Sequence, residues 1–227
     1  MTTGNANNMT ALLKLSPVVT KPRLSVRAAA KFVGLPAVAQ MKLLHDQKYP
    51  RQTPQVFMQP YYSPAISGIK GFLEYGAAGL VDARAQIQRA KVPSRRMHLT
   101  RVLEQFVQSD YARRGLKPTA NRRYHAELGD LELRLSPDLF ALEGDEERII
   151  YFNANAAEQN PEVAKMTLEM AHWLLEENGV EVKPEQIEFI DLFTGVLHKI
   201  KKRRPKTIKL LEENAGVIKS LWPIIEP

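Results

Sequence analysis

The chain has 227 residues, of which 44% are hydrophobic and 25% charged, and its formal net charge is +7. This length favours one domain with appendages or two small domains, and the composition is typical of a soluble globular protein. The absence of cysteine excludes thiolate metal sites, cysteine nucleophiles and disulfide bonds, and no apolar run reaches the 18 or so residues of a membrane span, so we expect a cytoplasmic protein without a membrane partner.

The first elements in chain order are predicted to be helical. Residues 1–21 lack a cationic start and a long apolar stretch, so we expect a flexible tail and no secretory signal. Ser25 is the predicted N-cap of a helix over 26–33 that ends at Gly34, and a second helix follows over 37–46. This pair is either an ordinary helical hairpin or a DNA-reading helix–turn–helix.

The next segment is rich in proline and aromatic residues. Residues 49–65 predict an irregular crossover, whose rings either pack against the core or stack on bases. Two helical pieces joined at glycines are expected over 66–90, and a longer helix over 97–114. We therefore expect a helical region at residues 22–96 and a separate core at 97–227. The aromatic residues of the crossover are Tyr49, Phe57, Tyr61 and Tyr62.

After residue 124 the apolar pattern changes from helical spacing to alternation and short continuous runs, which indicate strands. The predicted order is β-β-β-α-β-β-α, which places the chain in the α/β (α+β) class with a mixed sheet flanked by helices. The expected elements are strands around 131–135, 139–140 and 149–152, a helix between Asn160 and Gly179, strands over 187–193 and 196–200, and a helix over 207–221.

Charge is segregated along the chain. The net charge is +8 over residues 1–90, +7 over 91–125, −13 over 126–191 and +5 over 192–227. Cationic runs are candidates for phosphate contact because each neutralised phosphate releases condensed counterions. Alternatively, these cations are solvated or pair with the acidic segment inside the same fold. The candidate nucleic-acid ligands are Arg95, Arg96, Arg101, Arg113, Arg114, Arg122, Arg123, Lys201, Lys202, Arg203, Arg204 and Lys206.

One constellation suggests catalysis. Pro137-Asp138 precedes a predicted strand hairpin, whose second strand ends in Asn153-Ala154-Asn155 and leads into a helix. This arrangement resembles the PD-(D/E)XK superfamily of restriction-endonuclease-like nucleases, over roughly residues 97–227. The resemblance implies a core in which an Asp and an acidic-x-Lys motif hold divalent cations and direct a water against a DNA phosphate.

The second half of that motif departs from the family pattern. Asn153 stands at the acidic position and Asn155 at the lysine position, so the negative ligand and the positive charge are both replaced by neutral amides. The degenerate motif predicts a core that retains the nuclease fold, has no nuclease activity and binds no cofactor. In the alternative, catalytic groups have migrated and Mg²⁺ or Mn²⁺ is bound. The metal ligands would then be Asp138, Glu158 and Glu162, with Lys165 as the ammonium.

The sequence as a whole predicts a DNA-associated protein with an inactive or atypical nuclease core, in which Asp138, Asn153, Asn155 and Lys165 occupy degenerate or migrated catalytic positions. A first alternative is a protein–protein interaction module or homodimer that uses segregated acidic and basic faces. A second alternative is a metal-dependent deoxyribonuclease with migrated residues.

Overall fold

The computed structural model describes residues 18–50 and 61–227 and has the expected mixed α/β (α+β) architecture. The predicted tail therefore lies outside the described residues over 1–17, as does the predicted crossover over 51–60. The helices are α1 (Val26–Gly34), α2 (Ala37–Lys48), α3 (Ser63–Tyr75), α4 (Leu80–Gln88), α5 (Pro93–Gln108), α6 (Pro161–Glu177) and α7 (Pro205–Leu221). The strands are β1 (Arg23–Ser25), β2 (Lys117–Pro118), β3 (Tyr124–Leu128), β4 (Leu131–Leu135), β5 (Leu139–Glu143), β6 (Glu146–Asn153), β7 (Ile187–Asp191) and β8 (Leu197–His198).

The strands form two mixed sheets. The larger sheet has the order β2-β5-β6-β7-β8, with β6 and β7 parallel and the other pairs antiparallel. The smaller sheet has the order β1-β4-β3, in which β1 runs parallel to β4. Within the larger sheet Asn153 pairs with Asp191, and the backbone N–H of Asp138 donates to the carbonyl of Ile150 over 2.9 Å. The start of β5 therefore lies near the carboxyl ends of β6 and β7.

The larger sheet is buried on both faces. Along β6, Ile149 and Tyr151 enter a core shared with α1, α6, α7 and the smaller sheet, whereas Ile150 and Phe152 enter a core shared with α3, α4 and α5. A strand covered on both sides needs apolar residues at successive positions, which explains the continuous run in this strand. Each core contains side chains from before and after residue 97.

Capping residues and glycines in the sequence predict the positions of most helices correctly. The Ser25 hydroxyl accepts the backbone N–H of Ala28 and caps α1, and the Asn160 side chain accepts two backbone N–H groups at the start of α6. The helical pieces expected over 66–90 are α3 and α4, joined by a 3₁₀ turn over Gly76–Gly79. None of the described helices is long and apolar enough to cross a bilayer.

Several predicted boundaries are wrong. From residue 124 onward, four strands precede α6 instead of three, because the half-buried Tyr124, Ala126 and Leu128 alternate with exposed residues in β3. The helix expected over 97–114 is α5, which begins at Pro93 and ends at Gln108, where the Ser109 hydroxyl donates to the Phe106 carbonyl.

The strands expected over 187–193 and 196–200 are also shorter in the structure. They are β7 and β8, joined by a turn in which the backbone N–H groups of Phe193 and Gly195 donate to the carboxylate and the carbonyl of Asp191. The region 22–96, expected to be helical, includes β1.

Candidate functional site

A cleft of about 170 Å³ opens at the carboxyl end of β6. Helices α1 and α3 form one side, and the start of β5 and the segment after β6 form the other. Asp138, Asn153 and Asn155, the positions of the degenerate motif, all line this cleft. The other lining residues that bear on its chemistry are Arg27, Lys31 and Tyr62.

Asp138 is bound by an arginine of the same chain. One carboxylate oxygen, Oδ2, accepts from Arg27 Nη2 over 2.5 Å and from the backbone N–H of Phe152 over 2.7 Å. The Arg27 guanidinium also lies over the rings of Tyr151 and Phe189, 5.2 and 5.6 Å from their centroids. These rings hold the guanidinium by cation–π attraction, so that it faces Asp138 in a fixed orientation.

The two asparagines of the motif are engaged in hydrogen bonds that shape the loop after β6. Asn153 Nδ2 donates to Asp191 Oδ1 over 2.9 Å and to the Ala157 carbonyl over 2.8 Å. Asn153 Oδ1 accepts the backbone N–H of Asn155, and Asn155 Oδ1 accepts from the Tyr62 hydroxyl over 2.9 Å. Both amide oxygens are thus already bound within the protein.

Asp191 is a structural carboxylate that the sequence analysis did not single out. It is fully buried and accepts the backbone N–H groups of Gln159 and Phe193 in addition to the Asn153 amide. Burial acts to raise the pKa of Asp191, but these donors outweigh it and lower the pKa below its ordinary value. The charged carboxylate therefore anchors both chain segments that leave the sheet beside the cleft.

Two lysines, also missed from the sequence, add positive charge around Asp138. Lys31 lines the cleft one helical turn after Arg27, and the pKa of its ammonium is lowered by burial and by Arg27. Burial also lowers the pKa of Lys70 on α3, an effect that the nearby Asp138 partly opposes. The spacing of Arg27 and Lys31 was a usable signal, since residues four apart share one face of a helix.

Neither lysine forms an ion pair within the described part of the chain. The ion pairs of residues 18–50 and 61–227 include no partner for Lys31 or Lys70. Residues 1–17 and 51–60 contain no aspartate or glutamate that could supply one. The cleft therefore combines one carboxylate, already paired with Arg27, with the Lys31 ammonium, and Lys70 on α3 adds a second positive charge near Asp138.

This donor set does not fit a divalent cation. Asp138 is the only carboxylate among the described residues that line the cleft, and those residues contain no cluster of three His, Cys, Asp or Glu side chains able to hold a metal. Glu158, Glu162 and Lys165 do not line the cleft, and Glu162 pairs with Arg204 over 2.5 Å. Hard cations need several oxygen ligands, whereas the cations here attract an anion.

The cations predicted to contact nucleic acid differ in their surroundings. Some pair with the acidic segment 126–191: Arg114 with Glu143 and Glu188, Arg122 with Glu147, Arg203 with Glu176, and Arg204 with Glu162 and Glu169. Arg113 pairs with Asp110 at the surface. Arg123, Lys201, Lys202 and Lys206 are exposed, and Arg96 donates to the Ala90 carbonyl.

Arg95 and Arg101 lie beside the cleft. Arg101 Nη2 donates to the carbonyl of Asn155 over 3.3 Å, and Arg95 Nη2 donates to the carbonyl of Tyr61 over 3.2 Å. Tyr61 is next to Tyr62, which lines the cleft. Of the predicted nucleic-acid ligands, these two arginines are the ones that the structure places against the elements that form the cleft.

Comparison with known proteins assigns the chain to no family. No protein-family model and no curated protein sequence matches the chain. Among solved structures, a protein from Eubacterium rectale described as a "putative exonuclease" is similar, with a TM-score of 0.49 and 9% sequence identity over 90% of this chain and 83% of that one.

Proposed function

We propose that the protein binds nucleic acid through the cleft around Asp138 and does not use a divalent cation to hydrolyse it. The observation that carries this proposal is the ion pair between Arg27 and Asp138. It places a guanidinium beside the one carboxylate of a nuclease-like motif, next to Lys31 and Lys70, which have no acidic partner.

The physical basis is the excess of positive charge in a confined space. A phosphate that enters the cleft meets the Lys31 ammonium, which has no ion-pair partner, and lies near the charge of Lys70. Its binding releases counterions condensed on the nucleic acid. Arg27 offsets the repulsion that Asp138 would otherwise exert. The PD-(D/E)XK resemblance implies a cation bound to Asp138, whereas here a guanidinium pairs with this carboxylate. That pairing favours binding of a phosphate over its hydrolysis.

A binding titration tests the first half of the proposal. We expect the fluorescence anisotropy of a fluorescein-labelled DNA of 20 nucleotides, single-stranded or duplex, to rise when the protein is added at 50 mM salt. The affinity should fall at least about tenfold at 200 mM salt. Lys31→Gln should weaken binding and reduce the salt slope by about 0.9. The matched control is Lys183→Gln. Lys183 is an exposed lysine shortly before the amino end of β7, whereas the cleft lies at the other end of the sheet. Absence of binding to both DNAs at 50 mM salt would overturn the proposal.

Asp138→Asn separates phosphate binding from metal-dependent chemistry. The substitution removes the negative charge of the cleft, so we expect DNA affinity to rise about two- to fivefold. With plasmid DNA and Mg²⁺ or Mn²⁺, wild-type protein and the variant should show the same background cleavage. Cleavage that disappears in Asp138→Asn would show a cation-dependent nuclease and contradict the second half of the proposal.

A further inference from the structure

A group of aromatic and arginine side chains borders the cleft on the side of α5. It is called here the arginine–aromatic shelf, and it is joined to the cleft through the segment after β6. His98 Nε2 is 2.8 Å from the Ala154 carbonyl oxygen. The Tyr62 hydroxyl donates a hydrogen bond to the Asn155 side chain, and Arg101 donates one to the Asn155 carbonyl. The shelf consists of Tyr61, Tyr62, His98, Phe193, Arg95 and Arg101.

The rings and guanidinium groups of the shelf are in mutual contact. The rings of Tyr61 and Tyr62 are 4.8 Å apart at 75°, and His98 lies 6.0 and 5.7 Å from them. Arg95 covers the Tyr61 ring at 4.8 Å and Arg101 covers the Phe193 ring at 4.9 Å. Each planar cation is held over a ring.

Two of these rings remain open to solvent. Tyr61 is 44% exposed and Phe193 is 39% exposed. Two exposed aromatic rings, each beside an arginine and both next to a cationic cleft, form a surface on which flat apolar groups carried by an anionic chain can stack. Side chains that only packed the core would bury these rings.

We infer that the arginine–aromatic shelf binds unpaired nucleobases, so that the preferred ligand is single-stranded nucleic acid. This inference rests on the proposed function, because the cleft must hold the phosphates while the shelf stacks the bases. Aromatic rings and guanidinium planes stack on any base whose face is open. In a duplex, neighbouring base pairs cover these faces, so a duplex offers the shelf only its backbone.

Three labelled DNA ligands of equal length distinguish the two proposals. They are a 20-nucleotide single strand of mixed sequence, the same strand with abasic sites at every position but the ends, and the 20-base-pair duplex. We expect the normal strand to bind at least about tenfold more tightly than either of the others at the same salt. If all three bind equally, the shelf inference fails and the proposed function stands. If none binds, the proposed function fails.

Substitutions on the shelf give the second test. Tyr61→Ala and Phe193→Ala should each weaken single-strand binding by about 5- to 100-fold and change duplex binding less than about twofold. Tyr61→Phe retains the ring and should bind like wild type. The control is Tyr75→Ala, which removes a 65% exposed tyrosine at the end of α3, away from the shelf. Equal losses for the strand and the duplex would overturn the inference.

Discussion

Arg114 shows how a cation in a basic stretch of sequence becomes part of the fold. It donates to Glu143 over 2.7 and 2.8 Å and to Glu188 over 2.6 and 2.9 Å, and only 17% of its side chain is exposed. Glu188 is fully buried and also pairs with Lys199. A guanidinium that satisfies two carboxylates in this way stabilises the protein and is not available to a phosphate.

Replacing Arg114 tests this role. We expect Arg114→Met to lower the free energy of unfolding by about 3 kcal/mol, because it leaves Glu188 buried with one partner fewer. The control is Arg113→Met, which removes an exposed surface pair with Asp110 and should cost at most about 1 kcal/mol. Urea unfolding measures both. Similar small effects in the two variants would show that Arg114 behaves as a surface cation.

The same network predicts a pH dependence through Glu143. The hydrogen bond from Arg114, together with Arg148, lowers the pKa of Glu143 to about 2 from an ordinary value near 4.5. Because the pKa is lowered on folding, the charged carboxylate stabilises the protein fully above pH 4.5, and this stabilisation is lost as the pH falls towards 2.

We expect Glu143→Gln to be less stable than wild type by up to about 3 kcal/mol at pH 7, with the difference shrinking between pH 5 and pH 3. Urea unfolding at several pH values measures this difference. Glu146→Gln, at an exposed partner of Arg148, should give a small difference over the same range. A Glu143→Gln difference that is constant with pH would contradict the assignment.

At the scale of elements, local sequence signals predict the helices and strands, and the site depends on contacts between distant ones. The cap at Ser25 and the alternation of Leu131, Leu133 and Leu135 are local patterns, and the structure confirms the elements they predict. Arg27 meets Asp138 across a sequence separation of 111 residues, because α1 shares a core with residues of β5, β6 and β7. No periodic pattern in either segment predicts this contact between the two side chains.

Charge runs were a weaker guide than periodicity for the same reason. A count along the sequence cannot separate a cation paired across the fold, such as Arg204 with the buried Glu169, from one that faces solvent, such as Lys206. The cations of the cleft, in contrast, are single residues in unremarkable segments. Only the packing of helices α1 and α3 beside the start of β5 brings them together.

The contact between α3 and the 3₁₀ turn before α4 leaves no room for side chains at two glycines, Gly71 and Gly79. A Cβ atom at Gly79 would lie 1.9 Å from the Gly71 carbonyl oxygen. We expect Gly79→Ala to lower the free energy of unfolding by about 2 to 3 kcal/mol through this backbone overlap. Gly216→Ala, in α7 with open space around it, should instead stabilise by about 0.5 to 1 kcal/mol. Thermal unfolding measures both, and equal shifts would contradict the close packing of the 3₁₀ turn against α3.

At the scale of the whole molecule, much of the charge of the acidic segment is paired within the described part of the chain. Most of its carboxylates pair with arginines or lysines from elsewhere in the chain, including Lys21, Arg27, Arg114, Arg122 and Lys219. The net charge of −13 over residues 126–191 is therefore largely neutralised within the fold. The net charge of the whole chain, +7, then gives the long-range field the sign that attracts an anionic ligand.

The two ends of the described chain are held together through α2. The Trp222 indole donates to the carbonyls of Val19 and Thr20, and the backbone N–H of Val19 donates to the carbonyl of Lys48. The buried ammonium of Lys48 in turn donates to the carbonyls of Trp222 and Ile225 over 2.7 and 2.8 Å. Residues 18–21, the end of the predicted tail, therefore include contacts with both α2 and the carboxyl-terminal segment.

Replacing Lys48 should loosen both ends at once. In Lys48→Met the two carbonyls lose their donor while remaining near an apolar side chain, so we expect the free energy of unfolding to fall by about 2 to 3 kcal/mol. Amide hydrogen exchange should accelerate in residues 18–24 and 222–227 while β6 stays protected. Lys42→Met, at an exposed position of α2, should change neither quantity. Faster exchange at the carboxyl end alone would mean that the amino-terminal segment is held independently of Lys48, most directly by the strand pairing of β1 with β4.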